Sequence, residues 1–173
     1  MGSHALTAAG RDATSVMVAL RRVVRLFRLA DREAEGLYGL SAAQLFVLHV
    51  LWQEPDMSLA EVAARTMTDQ SSVSSVVAKL ADKKLVSKKA GSDRRRAELR
   101  LTPKGEHIVR TAPRLPQVIA LDVIAAMPPK QRAQLVRSIE SFASAIGANE
   151  MAPRMLFEDE PARRRRSRTD VPA

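Results

Sequence analysis

The stretch that most constrains this chain is DQSSVSSVVAKLADKKLVSKKAGSDRRRAELRLTPKG, residues 69 to 105. Val73, Val76, Val77 and Leu80 recur at three- and four-residue spacing. That spacing predicts a helix with one apolar face, leaving Gln70, Ser71, Ser74, Ser75 and Lys79 on the other. Asp69 is the expected N-cap, with its side chain accepting from the amide of Ser71 or Ser72. Leu85 and Val86, then Leu99 and Leu101, flank Lys88, Lys89, Gly91, Asp93, Arg94, Arg95 and Arg96. Two short strands joined by a charged turn fit this pattern. Thr102-Pro103 then opens another helix, since proline at the first helical position forfeits an amide that has no partner there anyway.

Charge concentrates in the same window. Between Arg65 and Gly105 there are eleven Lys or Arg against four acids, so the window carries +7 of the chain's +9. A helix with a polar outer face fits a major groove, an arginine-tipped loop fits a minor groove, and each neutralised phosphate releases counterions. Double-stranded DNA is the expected partner. The order is that of a recognition helix followed by a β-wing.

The run Asp93-x-Arg95-x-x-x-Leu99-x-Leu101-Thr102-x-x-Gly105 resembles the wing signature of MarR-family transcriptional regulators, and Ser71 to Leu80 resembles that family's recognition helix. The similarity extends over roughly residues 12 to 146. It implies a homodimeric winged helix-turn-helix that binds a palindromic operator, usually as a repressor released by a small ligand or by oxidation. The chain has no Cys, which excludes disulfides and thiol redox sensing.

Elsewhere, local signals set the expected elements. Val16, Leu20, Val23, Val24, Phe27 and Ala30 predict a long helix over 12–35, widened by Leu26 and Leu29, with Gly36 and Gly39 breaking it. Ser41-Ala42-Ala43-Gln44 and Ser58-Leu59-Ala60-Glu61 are two capping boxes. They open helices near Ala42 and Leu59, and the second forms a helix-turn-helix with the helix after Asp69. Pro113 and Pro116 predict a break at 112–116, where the family usually has a continuous helix. Helices at 117–127 and 130–146 follow. Aromatics are only 3% of the chain, so Ala, Leu and Val must build its core.

The expected fold class is therefore mainly α with a small β-wing, a winged helix-turn-helix plus terminal dimerisation helices. Residues 40–105 form the DNA-binding domain, and 12–36 with 106–147 form the helical dimerisation region. Residues 1–11 are a disordered terminus or partial tag. Residues 148–173, with Glu158-Asp159-Glu160 followed by Arg163 to Arg166 and Arg168, read as a disordered basic tail. No apolar run approaches membrane-spanning length and no signal peptide is evident, so a cytoplasmic location is expected.

Candidate sites sort into base contacts and phosphate contacts. Gln70, Ser71, Ser74 and Ser75 are expected at base edges, although the family often has a longer basic residue where this chain has Ser75. Lys79, Lys83, Lys88 and Lys89 are expected on the phosphates. Arg94, Arg95 and Arg96 supply the minor-groove wing contact, with Arg94 nearest the tip and Asp93 bracing Arg95 or Arg96. The resemblance also implies an effector site between the dimer helices and the winged domain. There Phe27, Tyr38, Phe46, His49 and Trp52 are candidate lining residues for a small aromatic or lipophilic molecule. His4, His49 and His107 lack metal-ligand spacing, so no metal, no cofactor and no enzymatic activity are expected. A second reading is a sequence-tolerant architectural DNA-binding protein, which the serine-rich face and high charge also suit.

Overall fold

The computed structural model describes residues 7–90, 97–151 and 155. Helix α1 spans Ala8–Tyr38, α2 Ala42–Gln53, β1 Met57–Ser58, α3 Leu59–Thr66 and α4 Gln70–Asp82. Strands β2 (Val86–Ala90) and β3 (Ala97–Leu101) follow, then α5 (Pro103–Thr111), α6 (Pro116–Ala126), α7 (Pro129–Ala145) and a short 3-10 turn at Ala148–Glu150. The three strands form one antiparallel sheet in the order β1-β3-β2, with Met57 opposite Leu99 and Val86 opposite Leu101.

Helix α2 is the hub of the core. Both halves of its capping box are made, with the Gln44 amide donating to Ser41 Oγ and the Ser41 amide to Gln44 Oε1, each at 3.2 Å. Its nearly continuous apolar sequence is accordingly buried, from Ala42 through Leu48 and again at Val50 and Leu51. The second capping box opens α3 in the same way. Val62 and Ala63 of α3 and Val73, Val76, Val77 and Leu80 of α4 close the core beneath α2, while Leu85, Leu99 and Leu101 attach the hairpin to it.

Three expectations need correction. Helix α1 begins at Ala8, ahead of Asp12, because the Thr7 side chain caps it by accepting from the Gly10 amide at 3.2 Å. Residues 7–11 are thus structured. Gly36 does not break α1, since a single helical glycine costs only about 1 kcal/mol. Continuing past it brings Tyr38 to the core, where its hydroxyl donates to Thr111 O at 3.0 Å. The stop comes at Gly39, whose φ of 63° is the left-handed conformation glycine adopts without steric cost. Strand β1 is an addition to the expected elements, because two residues display no periodicity.

The proline break is present. Helix α5 ends at Thr111 and α6 starts at Pro116, with Leu115 between them turned into the core. Around this winged unit the terminal helices are sparsely covered. Only Ala34 of α1, only Val118 of α6 and no residue of α7 is buried. Leu26, Leu29, Val123, Ile139 and Ile146 are each at least half exposed.

Candidate nucleic-acid interface

Burial of Val73, Val76, Val77 and Leu80 fixes the rotation of α4, so the opposite face must point outward. Gln70, Ser71, Ser74 and Ser75 are indeed exposed, at the N-terminal end where a groove-seated helix makes its base contacts. Asp69 caps that end through Oδ1, which accepts from the Ser72 amide at 2.8 Å. The Ser71 hydroxyl also donates to Asp69. Ser71 is therefore part of the cap as well as of the outer face, which it shares with Gln70, Ser74 and Ser75.

The lysines fall into different environments. Lys83 Nζ donates to Gly39 O at 2.7 Å, tying the end of α4 to the turn between α1 and α2. Lys79 is half-buried, whereas Lys88 and Lys89 are exposed on β2 opposite Leu99 and Glu98. Ala90 pairs with Ala97 at the end of the hairpin. The turn residues Asp93, Arg94, Arg95 and Arg96 lie outside the described residues, as does the tail with Arg163 to Arg168.

A brace that sequence reasoning missed sits at the base of the wing. Arg100 of β3 clasps Asp56 with two donors, Nε at 2.7 Å to Oδ1 and a terminal nitrogen to Oδ2. Such fork-to-carboxylate pairs fix orientation as well as charge. The Arg100 hydrogen bond holds the Asp56 carboxyl below its ordinary range. Asp56 adopts a φ of 64°, which aims it at the hairpin from the turn before β1. Nothing local in the sequence links residues 44 positions apart.

Gly105 supplies a second fixture. A Cβ at this position would stand 2.2 Å from Leu85 O. That carbonyl accepts from the Thr102 amide at 3.0 Å, and Thr102 Oγ1 donates to Lys84 O at 2.8 Å. The start of α5 is therefore pressed directly onto the chain entering β2.

Two cavities adjoin the winged unit. One of about 130 Å³ is lined by Leu45, His49, Trp52, Val109, Ala112, Pro113, Arg114, Leu115 and Val118. A second of about 310 Å³, walled on one side by Leu26, Leu29 and Ala34 of α1, shares Leu45, Pro113, Arg114 and Leu115 with it. Of the five residues expected at an effector site, His49 and Trp52 meet in the smaller cavity. Phe46 is buried in the core, Tyr38 packs against it, and Phe27 lines neither space. The proline break supplies the shared wall, a role its sequence did not disclose. Arg110 stacks over the Trp52 ring at 5.0 Å from its centroid, and Arg114 pairs with Asp122. His49 Nε2 lies 3.1 Å from Gln53 Nε2, an arrangement in which the amide donates to an unprotonated imidazole nitrogen. Burial, reinforced by the nearby Arg114 charge and opposed by Asp122, lowers the His49 pKa.

Among the described residues no group of three or more His, Asp or Glu is arranged to hold a metal ion, and no single helix is long and apolar enough to cross a membrane.

Residues 38–96, from the end of α1 past β2 and stopping before β3, match the MarR family model. Over those residues the chain is similar to the MarR family. No curated protein matches it. Among solved structures it is similar to BpsR of Bordetella bronchiseptica, described with regulation of its DNA binding by 6-hydroxynicotinic acid. That likeness has 24% identity over 80% of this chain and 97% of the other, with a TM-score of 0.53. FabT of Streptococcus pneumoniae, in complex with DNA, matches at 17% identity over 80% and 98%, with a TM-score of 0.52. A MarR transcriptional regulator from Methanosarcina mazei matches at 19% over 80% and 99%, also with a TM-score of 0.52. At these identities the likeness is one of fold.

Proposed function

We propose that the chain is a cytoplasmic, sequence-specific DNA-binding transcriptional regulator, acting as a homodimer on a palindromic operator, as a repressor released by a small molecule. The observation that carries this reading is α4, whose apolar face is buried while its polar face is exposed, in a chain whose next element, β2, exposes Lys88 and Lys89. Exposed apolar side chains on α1, α6 and α7 supply the surface for a second copy. Two copies related by a two-fold axis present two recognition helices, which read successive major grooves when held about 34 Å apart. The wing arginines Arg94 to Arg96 then enter the flanking minor grooves, and Asp56 with Arg100 keeps the hairpin at its angle.

Release follows from the cavities. A dry space near 150 Å³ accommodates a single aromatic ring, so the cavity at His49 and Trp52 suits a monocyclic effector. Such a molecule wedges between α2 and the break after α5, at the joint between the winged unit and the terminal helices. If it binds one separation of the recognition helices more tightly than the other, operator affinity falls by the ratio of its affinities for the two states. The small-molecule regulation described for BpsR supports this reading.

The test contrasts two variants on operator and mixed-sequence duplexes. Gln70→Ala is expected to relax sequence preference by about 1 to 3 kcal/mol, whereas Lys88→Ala with Lys89→Ala weakens all duplexes alike and flattens the salt dependence. Equal affinity of the parent protein for every duplex contradicts a regulator and favours the architectural reading.

A further inference from the structure

Between α2 and β1 the chain runs through Glu54-Pro55-Asp56, and the two carboxylates reach different elements. Glu54 pairs at 2.9 Å with Arg65, in the last turn of α3 just before the chain turns into α4. Asp56 holds the fork of Arg100 on β3. The backbone between the two pairs has little freedom. Proline locks its own φ and restricts the residue before it to extended conformations, and Glu54 is extended. Asp56 is left-handed, a conformation that Asp tolerates better than most residues. Both ion pairs are partly exposed, so they contribute little to stability. What a stiff loop with two charge-assisted links supplies is a fixed geometry.

We propose that Glu54 and Asp56 are positioning residues that hold the helix-turn-helix and the stem of the hairpin in register, so that α4 and the pair Lys88 and Lys89 engage one duplex as a single preset surface. The inference rests on the DNA-binding reading above. The linkage is serial. Arg65 ends the helix that leads into α4, the loop joins it to Arg100, and β3 carries β2, where Lys88 lies opposite Leu99 and Lys89 opposite Glu98. Lys89 also lies within electrostatic reach of Asp56. Parts held in register bind a second set of phosphates intramolecularly, at an effective concentration that falls once they move independently. Two effects compete at Asp56. Its charge repels phosphate and occupies Arg100, which opposes binding, whereas the register it imposes favours binding. Salt screens the repulsion because the pair is exposed, while lost register weakens the contacts of two lysines, so the second effect is the larger.

The experiment measures the affinity of the full chain for a mixed-sequence duplex across a salt series, with Tm alongside. Asp56→Gly removes the carboxylate and leaves a residue that adopts left-handed backbone freely, so Tm is expected to stay within about 2 °C of the parent. Affinity is expected to fall about tenfold. The slope of log affinity against log salt should become shallower by about 1 to 2, near 0.9 for each phosphate that Lys88 and Lys89 no longer neutralise. With Lys88→Ala and Lys89→Ala already present, Asp56→Gly is expected to cost at most about twofold, and an equal loss in that background overturns the proposal. Arg100→Lys keeps the charge without the fork and is expected to match Asp56→Gly; parent affinity in that variant overturns a role for the fixed angle. Glu54→Gln is expected to cost about fivefold alone and almost nothing beyond Asp56→Gly, because cutting a serial linkage twice frees no more than cutting it once. Losses that multiply make the two pairs independent and overturn the shared register. Unchanged or higher affinity of Asp56→Gly means that the carboxylate only neutralises Arg100. A fall in Tm beyond about 5 °C in both Asp56→Gly and Arg100→Lys makes the clasp a structural brace, and either result overturns the proposal. Failure of the parent protein to bind any duplex removes the DNA-binding reading itself, and the parent alone distinguishes that outcome from the others.

Discussion

Gly105→Ala sets two opposing effects against each other at the junction that orients the wing. Gly105 is the third residue of α5, and replacing a helical glycine by alanine ordinarily stabilises by about 0.5 to 1 kcal/mol. The added Cβ would stand 2.2 Å from Leu85 O, more than 1 Å inside ordinary contact, and the obstacle is backbone rather than a side chain that could swing away. Relieving it separates α5 from the entry to β2. That movement strains the Thr102 amide bond to Leu85 O and the Thr102 hydroxyl bond to Lys84 O, at 3.0 and 2.8 Å. Overpacking of this kind costs about 1 to 3 kcal/mol, and a weakened hydrogen bond adds about 1. The clash outweighs the helix gain, leaving a net loss near 2 kcal/mol. For a chain of this length that is a fall in Tm of roughly 4 to 8 °C. Thermal unfolding followed by circular dichroism measures it, and DNA affinity at a temperature where the variant is folded reports the tilt of the wing. An unchanged or raised Tm refutes the reasoning, because it means the junction accommodates a methyl group at no cost.

Further expectations follow from individual residues. Arg94→Ala should lower operator affinity by about 1 to 3 kcal/mol, the scale of a specific groove interaction, and unchanged binding in a fluorescence titration would pass that role to Arg95 or Arg96. His49 has a folded-state pKa below its ordinary value near 6.5, so the unfolded chain binds the proton more readily. The stabilisation from its neutral ring is fully present above about pH 6.5 and is lost as pH falls through the lower folded-state pKa. Thermal melts from pH 7.5 down to 5 should therefore show an acid-side loss that His49→Gln reduces, and an identical pH profile in the variant would contradict the assignment. Leu29 is half exposed between the arginines of α1. Placing a charge there by Leu29→Glu should weaken the proposed homodimer by roughly 2 to 4 kcal/mol in sedimentation, the scale of an interface hot spot, and no change would take α1 out of the proposed interface.

Which features were legible in the sequence follows from how local their causes are. The caps at Ser41, Ser58, Asp69 and Thr102 each reach only three residues along the chain, so composition announces them, and the helices begin where expected. The apolar spacing of α4 likewise fixes its buried face without outside help. Gly36 misled because its local cost is smaller than what Tyr38 gains by reaching the core and Thr111. Strand β1 and the clasp between Asp56 and Arg100 both join distant positions, and no spacing rule encodes them. The cavity shows both limits at once. Its His49 and Trp52 are neighbours along α2, but the wall from Ala112 to Leu115 exists only because the chain breaks between Pro113 and Pro116 and folds back. Large aromatic size pointed equally to Phe46, which the core claims.

The most direct measurement is selection of bound duplexes from a random DNA pool at about 0.15 M salt, where non-specific phosphate binding is not inflated as it is at lower salt. Two recognition helices held by a two-fold dimer should enrich a palindrome with half-sites about one helical turn apart, roughly 10 to 10.5 bp between centres. A retained pool with no enriched motif, or an enriched single half-site with no symmetric partner, would contradict a dimeric operator-reading regulator.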